Sequence, residues 1–296
     1  MNVLDQVVTD RYALYHGDCV EVLAGLPEKS VDYSIFSPPF SSLYTYSNSP
    51  RDMGNCKSDA EFFAQFDFLV HQLARVMKPG RNVSFHCMLL PTSKERDGYI
   101  GLKDFRGDLI RAFQKHGFIH HSEVVIWKDP VTAMQRTKAL GLLHKTIRTN
   151  ASMSRQGIPD YLITMRAPGE VDDKVTHDAA NGSELPVSLW QQYASPVWMD
   201  INPNDTLQFK SAREHDDERH ICPLQLEVIR RGIALWTNPD DVVLTPFLGI
   251  GSEAYTAVDM GRRAIGAELK ASYFQQAVRN LAAASKQGGL FDDAVA

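Results

Sequence analysis

Two consecutive prolines at the end of an apolar run set the first constraint on this chain. Val31-Asp32-Tyr33-Ser34-Ile35-Phe36 is rich in β-branched and aromatic residues and predicts a buried strand. Pro38 and Pro39 can continue neither a helix nor a central strand, so the chain must leave the sheet at Ser37-Pro38-Pro39-Phe40 in a stiff turn. A second run of the same kind, Asp241-Val242-Val243-Leu244-Thr245, leads into Pro246-Phe247-Leu248-Gly249-Ile250-Gly251-Ser252. In open α/β sheets ligands collect at the carboxyl ends of strands. One exit is therefore expected to hold a nucleotide-like cofactor and the other the group to be modified, with the fold setting them side by side.

Strand and helix patterns alternate around these two exits. Before and after the first lie a strand at Tyr12-Ala13-Leu14-Tyr15, a brief helix near Val20 to Pro27, and a loop from Ser41 to Asn55. A helix from about Ser58 to Met77 follows, with Ser58 and Glu61 as a capping box and a core-facing stripe of Phe62, Phe66, Leu69, Val70 and Leu73. Lys78-Pro79-Gly80 should stop it before a strand at Asn82 to Met88, a helix from about Phe105 to His116 and a strand at His121 to Trp127. Around the second exit the pattern predicts helices near Leu224 to Leu235, Ser252 to Met260 and Ser272 to Ser285, with a strand at Arg263 to Ala267. The fold class is α/β, a mostly parallel twisted sheet flanked by helices.

The stretch between the halves differs. Lys128, Arg136, Lys138, Lys145, Arg148, Arg155 and Arg166 face only Asp129 and Asp160, so a polyanion could lie here although the formal net charge is -5. Asp160 to Met165 predicts a strand returning beside Val124 to Trp127, which makes Val131 to Gly157 an excursion from the sheet. Residues 167–219 carry Pro168, Pro186, Pro196 and Pro203 and acidic runs at Glu170 to Asp173 and Glu214 to Glu218; they predict a surface connection with little regular structure. The expected organisation is a catalytic half at 1–128, a basic excursion and recognition or linker region at 129–219, a cofactor half at 220–285 and a frayed tail at 286–296.

Several function classes drop out. No apolar run approaches the roughly 18 residues of a membrane span, and the N-terminus lacks a leader pattern, so a cytoplasmic location is expected. Cys19, Cys56, Cys87 and Cys222 form no C-x-x-C pair and predict reduced thiols. The histidines, including His120-His121 and the His215 and His220 pair around Asp216 and Asp217, have no metal-ligand spacing, so no metal site is expected.

The chemistry of the exits can be argued from residue types. Glu268 ends the strand after the glycine turn, where a carboxylate can take both hydroxyls of a ribose. The glycines do not match G-x-G-x-x-G, and Glu253 should repel a pyrophosphate at the helix N-terminus, which favours a nucleoside cofactor without phosphates. In the first exit the Ser37 hydroxyl and Pro38 carbonyl can point two acceptors at one spot, while Phe40 offers a ring for a planar group. Ser37 is a poor candidate for an acyl-transfer nucleophile: G-x-S-x-G is absent and Pro38 removes an oxyanion-hole N–H. No His or Glu partner for Ser37 stands out.

The combination resembles the S-adenosylmethionine-dependent DNA methyltransferases that modify exocyclic amines, with their motifs (Asp/Asn/Ser)-Pro-Pro-(Tyr/Phe/Trp) and Phe-x-Gly-x-Gly. The catalytic motif precedes the cofactor motif here, as in the family's β arrangement, which implies a Rossmann-like methyltransferase fold with permuted motif order and an inserted DNA-contacting lobe. The resemblance extends to His16-Gly17-Asp18-Cys19 for the cofactor adenine, Leu73 to Gly80, and His220-Ile221-Cys222-Pro223-Leu224 closing over the cofactor methionine. Thr245 departs from it, since many relatives carry Asp before Pro-Phe.

The resemblance implies Ser37, Pro38, Pro39 and Phe40 as the catalytic site. It implies Asp18, Cys19, Pro223, Leu224, Thr245, Pro246, Phe247, Gly249, Gly251, Ser252 and Glu268 around S-adenosylmethionine. The basic excursion adds Arg136, Lys138, Lys145, Arg148 and Arg155 toward double-stranded DNA, and the family implies a homodimer. Serine at the first motif position usually marks cytosine N4 enzymes, yet the whole chain looks more like solitary adenine N6 enzymes, toward which the sequence leans. RNA or protein-glutamine methylation, and a catalytically inactive DNA-binding regulator, are the competing readings.

Overall fold

The computed structural model describes residues 3–40, 52–137, 140–177, 184–208 and 223–292. In chain order the N-terminal part forms β1 (Asp5–Val8), β2 (Tyr12–His16), α1 (Cys19–Ala24), β3 (Val31–Phe36), α2 (Asp59–Val76), β4 (Met77–Met88), β5 (Leu90–Pro91), α3 (Lys94–Asp97), β6 (Leu102–Lys103), α4 (Phe105–Lys115) and β7 (Ile119–Ile126). Then come α5 (Pro130–Thr137), α6 (His144–Thr149), β8 (Asp160–Arg166), α7 (Val187–Tyr193) and β9 (Val197–Trp198). The last part is α8 (Leu226–Trp236), β10 (Val242–Thr245), α9 (Ser252–Asp259), β11 (Arg263–Glu268) and α10 (Ala271–Asp292). Among these residues no helix is long and apolar enough to cross a membrane.

Nine strands make one sheet in the order β1-β2-β11-β10-β3-β4-β8-β7-β9, in which only β1 and β8 run against the rest. The expected mostly parallel sheet is present. β3 lies at its centre with all six residues buried, so Asp32 and Ser34 need partners. Ser34 Oγ donates to the Leu244 carbonyl at 2.9 Å, and Asp32 Oδ2 accepts the Val242 N–H at 2.8 Å. Both bonds tie β3 to β10, and the strands run parallel with Tyr33 opposite Val243. The two exits seen in the sequence therefore leave from neighbouring strands at the same edge.

The helices cover both faces. On one, Val22 and Leu23 of α1, the phenylalanine stripe of α2, and Leu109 and Phe113 of α4 pack on β3 and β4. Phe62, Phe66, Leu69, Val70 and Leu73 of α2 are all fully buried, and Phe66 lies edge-on to Phe113 of α4 at 6.0 Å, so the stripe is core as expected. On the other face α8, α9 and α10 bury Ile229, Ala257 and Leu281 against β10 and β11. α2 starts as its sequence says, with the Ser58 hydroxyl accepting the Glu61 N–H; the Glu61 carboxylate, however, reaches the N–H of Lys57, one residue before the cap.

Several elements depart from expectation. β4 begins directly at Met77, because Gly80 takes φ +70° and lets the Lys78-Pro79-Gly80 segment remain extended beside β3. β8 returns beside β7 as the sequence predicts, and it also lies between β7 and β4 and runs against both. The excursion after β7 is helical, and the 167–219 connection holds α7 and the edge strand β9. Arg231 of α8 anchors that connection: its buried guanidinium holds Asp200 at 2.7 Å and Glu227 at 2.9 Å and lies over the rings of Tyr193 and Trp198. α10 continues as helix to Asp292, where a frayed tail was expected from residue 286. Lys138, His215, His220, Cys222 and the Glu214 to Glu218 run lie outside the described residues.

At the sheet end opposite the exits, Asp32, Asp173 and Asp241 converge. Arg81 occupies their midst, pairing with Asp241 and donating to the Asp32 carbonyl at 3.0 Å, while Lys78 reaches Asp32 at 2.6 Å. Arg81 and its two strand carboxylates are buried, so removing the cation strands uncompensated charge. Arg81→Met is expected to lower unfolding stability by about 3–5 kcal/mol, measured by urea denaturation at neutral pH.

Candidate active site

The two exits open into one cavity of about 520 Å³, a size typical of small-molecule sites. Its walls include Ser37, Pro38, Pro39 and Phe40 from the first exit and Pro246, Phe247, Gly249 and Ser252 from the second. Asp18 and Cys19 reach it from the end of β2, Glu268 from the end of β11, and Pro223 and Leu224 from the chain before α8. Phe36 and Phe247 touch across the seam, centroids 5.7 Å apart, so an aromatic contact joins the two motifs.

At the glycine turn, Gly249 has φ +55° and open space where a Cβ would stand, which leaves its backbone bare to the cavity. Glu268 holds the turn in place: its carboxylate accepts the Gly249 N–H at 2.7 Å and the Lys270 N–H at 2.8 Å. Burial pushes the Glu268 carboxyl up to about 7, against the pull of those two amides. Asp18 caps α1 by accepting from the amides of Val20 and Glu21. The Ser252 hydroxyl is buried without a hydrogen-bond partner among the described residues.

Three sequence readings change here. Gly251 and Thr245 do not line the cavity. Gly251, at φ +92°, is needed where α9 meets α10: a Cβ would come within 2.9 Å of Leu281 Cδ1 and 3.1 Å of Ala277 Cβ. Glu253 does line it, yet burial raises its carboxyl to about 8, so at neutral pH it is mostly protonated and its argument against a pyrophosphate through charge repulsion lapses.

At the other end Ser37 has the partner that the sequence did not reveal. Its Oγ lies 3.3 Å from His86 Nδ1 on β4. His86 Nε2 in turn lies 3.2 Å from Asp160 Oδ2, ion-pair distance though bent away from a straight hydrogen bond, and Lys128 Nζ holds Asp160 Oδ1 at 2.6 Å. Burial works to raise the Asp160 carboxyl, but His86 and Lys128 together outweigh it and keep it below its ordinary range. Phe40 stands beside this group, 6.4 Å from the His86 ring and edge-on to Phe105 at 6.2 Å. His86 could have been noticed as the polar residue facing inward from an apolar strand; Asp160 and Lys128 carry no sequence signal, because their meeting depends on β8 running back between β4 and β7.

The basic excursion is only partly assembled. Lys145 and Arg148 are exposed on α6, and Arg155 is half-buried with its guanidinium donating to the Gln156 carbonyl at 3.2 Å. None of the three lines the cavity or has a carboxylate partner among the described residues, whereas Lys128 is taken by Asp160. The side chain of Arg136 lies outside the described residues together with Lys138.

This architecture recurs in known proteins. A DNA modification methylase of Thermus thermophilus, TTHA0409, solved in complex with S-adenosyl-L-methionine, superposes with a TM-score of 0.67 over 93% of this chain and 95% of its own, at 23% identity, a likeness of fold. In sequence the chain is 26% identical to the type II methyltransferase M.BglII of Bacillus subtilis over 88% of its own length, and spans 66% of that relative. It is 36% identical to the type II methyltransferase M.ScaI of Streptomyces caespitosus, over 93% of this chain and 83% of that one. The DNA methylase family of the N6/N4 class matches residues 31–279, which takes in both exits and all the cavity's central strands, and the chain belongs to that family.

Proposed function

We propose that this chain transfers a methyl group from S-adenosylmethionine to the exocyclic amine of a base flipped out of double-stranded DNA. The observation that carries the reading is that the Ser37 to Phe40 turn and the Gly249 turn, far apart in sequence, share one cavity. The residues at its glycine end suit the cofactor: a bare backbone at Gly249, a partly buried carboxyl at Glu268 and a Ser252 hydroxyl without a partner among the described residues match a nucleoside with vicinal hydroxyls and a polar tail. When bound, S-adenosylmethionine supplies an electrophilic methyl on sulfur.

The remaining roles fall to the protein. A base inside a duplex is out of reach, so it must turn out into the cavity, where Phe40 offers its ring face. The amine lone pair is delocalised into the base ring and is a poor nucleophile. Ser37 Oγ and the Pro38 carbonyl, accepting its two N–H bonds, favour a more tetrahedral nitrogen and stabilise the charge that develops there. Lys145 and Arg148 on α6 lie outside the cavity, where they can meet phosphates.

For the target base we take cytosine N4 first. Serine at position 37 is the family's usual mark of that target, and the sequence lean to adenine rested on likeness to solitary enzymes. The relatives at 26% and 36% identity are named as type II methyltransferases, a name that gives no target base, and a relative at 22% identity over 92% of this chain is named as a DNA adenine methyltransferase, so the choice rests on Ser37.

Three outcomes are expected. Nucleosides from DNA incubated with the protein and labelled cofactor should carry label as 4-methylcytosine; label only in 6-methyladenine reverses the base assignment, and no labelled nucleoside refutes the activity. Ser37→Ala should lower the single-turnover methylation rate about 10²-fold with cofactor affinity held, read by rapid quench and calorimetry. Replacing Lys145 and Arg148 by Ala should weaken DNA binding on all sequences and flatten the log Kd against log salt slope by about 0.9 for each phosphate that is no longer neutralised.

A further inference from the structure

Four adjacent strands each bring one residue to the base end of the cavity. Ser37 follows β3, His86 lies on β4, Asp160 begins β8 and Lys128 follows β7, and β3-β4-β8-β7 is their order in the sheet. Because β8 runs antiparallel, its first residue lies at the edge where the others end, opposite Met88 of β4 and Ile126 of β7. The contacts follow the same order: Ser37 Oγ to His86 Nδ1 at 3.3 Å, His86 Nε2 to Asp160 Oδ2 at 3.2 Å, and Asp160 Oδ1 to Lys128 Nζ at 2.6 Å. His86 and Asp160 are buried while Ser37 and Lys128 at the ends of the row are partly exposed, so the central contact is the one best shielded from bulk water.

We propose that His86, oriented by Asp160, is a positioning residue that polarises Ser37 and takes up the proton released on methyl transfer. The inference rests on Ser37 accepting the target amine. A carboxylate beside Nε2 places the imidazole proton there and leaves Nδ1 as a lone pair facing Ser37. The Ser37 O–H donates to that lone pair, and the oxygen's own lone pairs turn toward the amine. A neutral hydroxyl is a weak acceptor by itself; donation to His86 makes it a stronger one.

The proton balance closes within these residues. As the N–C bond forms and the S–C bond of the cofactor breaks, the positive charge of the sulfonium arrives on the base nitrogen. That nitrogen gives one N–H proton to Ser37 Oγ while Ser37 gives its own to His86 Nδ1, so the methylated amine is left neutral and the charge rests on an imidazolium beside Asp160. The proton then leaves to water when the product departs. Lys128 limits how strongly Asp160 holds it.

The bland reading is a polar clamp that only ties β4, β8 and β7 together. The charged groups next to His86 are Asp160 from β8 and, through it, Lys128 after β7; the other ionisable groups on the cavity wall are Asp18, Cys19, Asp52, Asp129, Glu253, Glu268, Lys270 and Tyr273. A clamp predicts no ordered response to charge at positions 128 and 160, whereas uptake of a proton by His86 does.

The test is single-turnover methylation against pH with saturating DNA and cofactor. The wild-type rate should fall toward acid pH, with the limb moved to higher pH in Lys128→Met and to lower pH in Asp160→Asn. His86→Asn, which keeps an acceptor near the Nδ1 position but cannot take up the proton, should lose the limb and run about 10²-fold slower with DNA and cofactor affinities held. ¹⁵N NMR of the unliganded wild-type protein should show His86 neutral at alkaline pH with the proton on Nε2; this readout needs no variant and stands whether or not DNA is methylated, so it separates failure of the relay from failure of the methyltransferase reading. A proton on Nδ1, a limb that ignores both charge substitutions, or a His86→Asn rate equal to wild type overturns the proposal.

Discussion

The pairing of β3 with β10 is the contact on which everything functional depends. Two strands separated by most of the chain lie side by side, held by the Ser34 hydroxyl on the Leu244 carbonyl and by Asp32 on the Val242 amide. Both polar groups are inside the sheet, where an unmade bond would be costly, so they discriminate sharply against any other neighbour or register. Because the two strands are parallel, their carboxyl ends coincide. The proline turn and the glycine turn thereby open into the same cavity, and Phe36 against Phe247 closes the floor between them.

Charge is handled differently at the two edges of this sheet. Away from the site, Asp32 and Asp241 are matched by Arg81 and Lys78 and contribute rigidity. At the site, Glu253 is buried and Glu268 partly so, neither has a cation partner among the described residues, and both are pushed toward neutrality, to about 8 and about 7. Polar groups left this way fit a protein that expects a ligand to complete them. The base end follows a third pattern, in which Asp160 stays ionised because His86 and Lys128 share it.

Much of this was legible in residue order. The Val31 and Val242 strands, the helix capped by Ser58, the phenylalanine stripe and the turn residues all obey local rules, and each stands where those rules put it. What local rules missed were elements held only by distant partners. α7 and β9 are short and weakly patterned, and they exist because Arg231 grips Asp200 beneath Trp198. The contacts of Gly251 and Lys128 were out of reach for a related reason: one packs against α10 and the other answers Asp160, and neither partner is near in sequence.

By itself the sequence determined the chemistry of the two turns: which backbone must leave the sheet, which hydroxyl and ring stand at one exit, and which glycine bares the backbone at the other. These follow from proline's missing N–H and glycine's missing Cβ, properties that a residue carries wherever it is placed. Only the tertiary structure decided that the turns meet, and that Ser37 is backed by His86, Asp160 and Lys128. That row exists because an antiparallel strand inserted between two parallel ones delivers its first residue to the edge where theirs end, a consequence of strand order that no local pattern encodes.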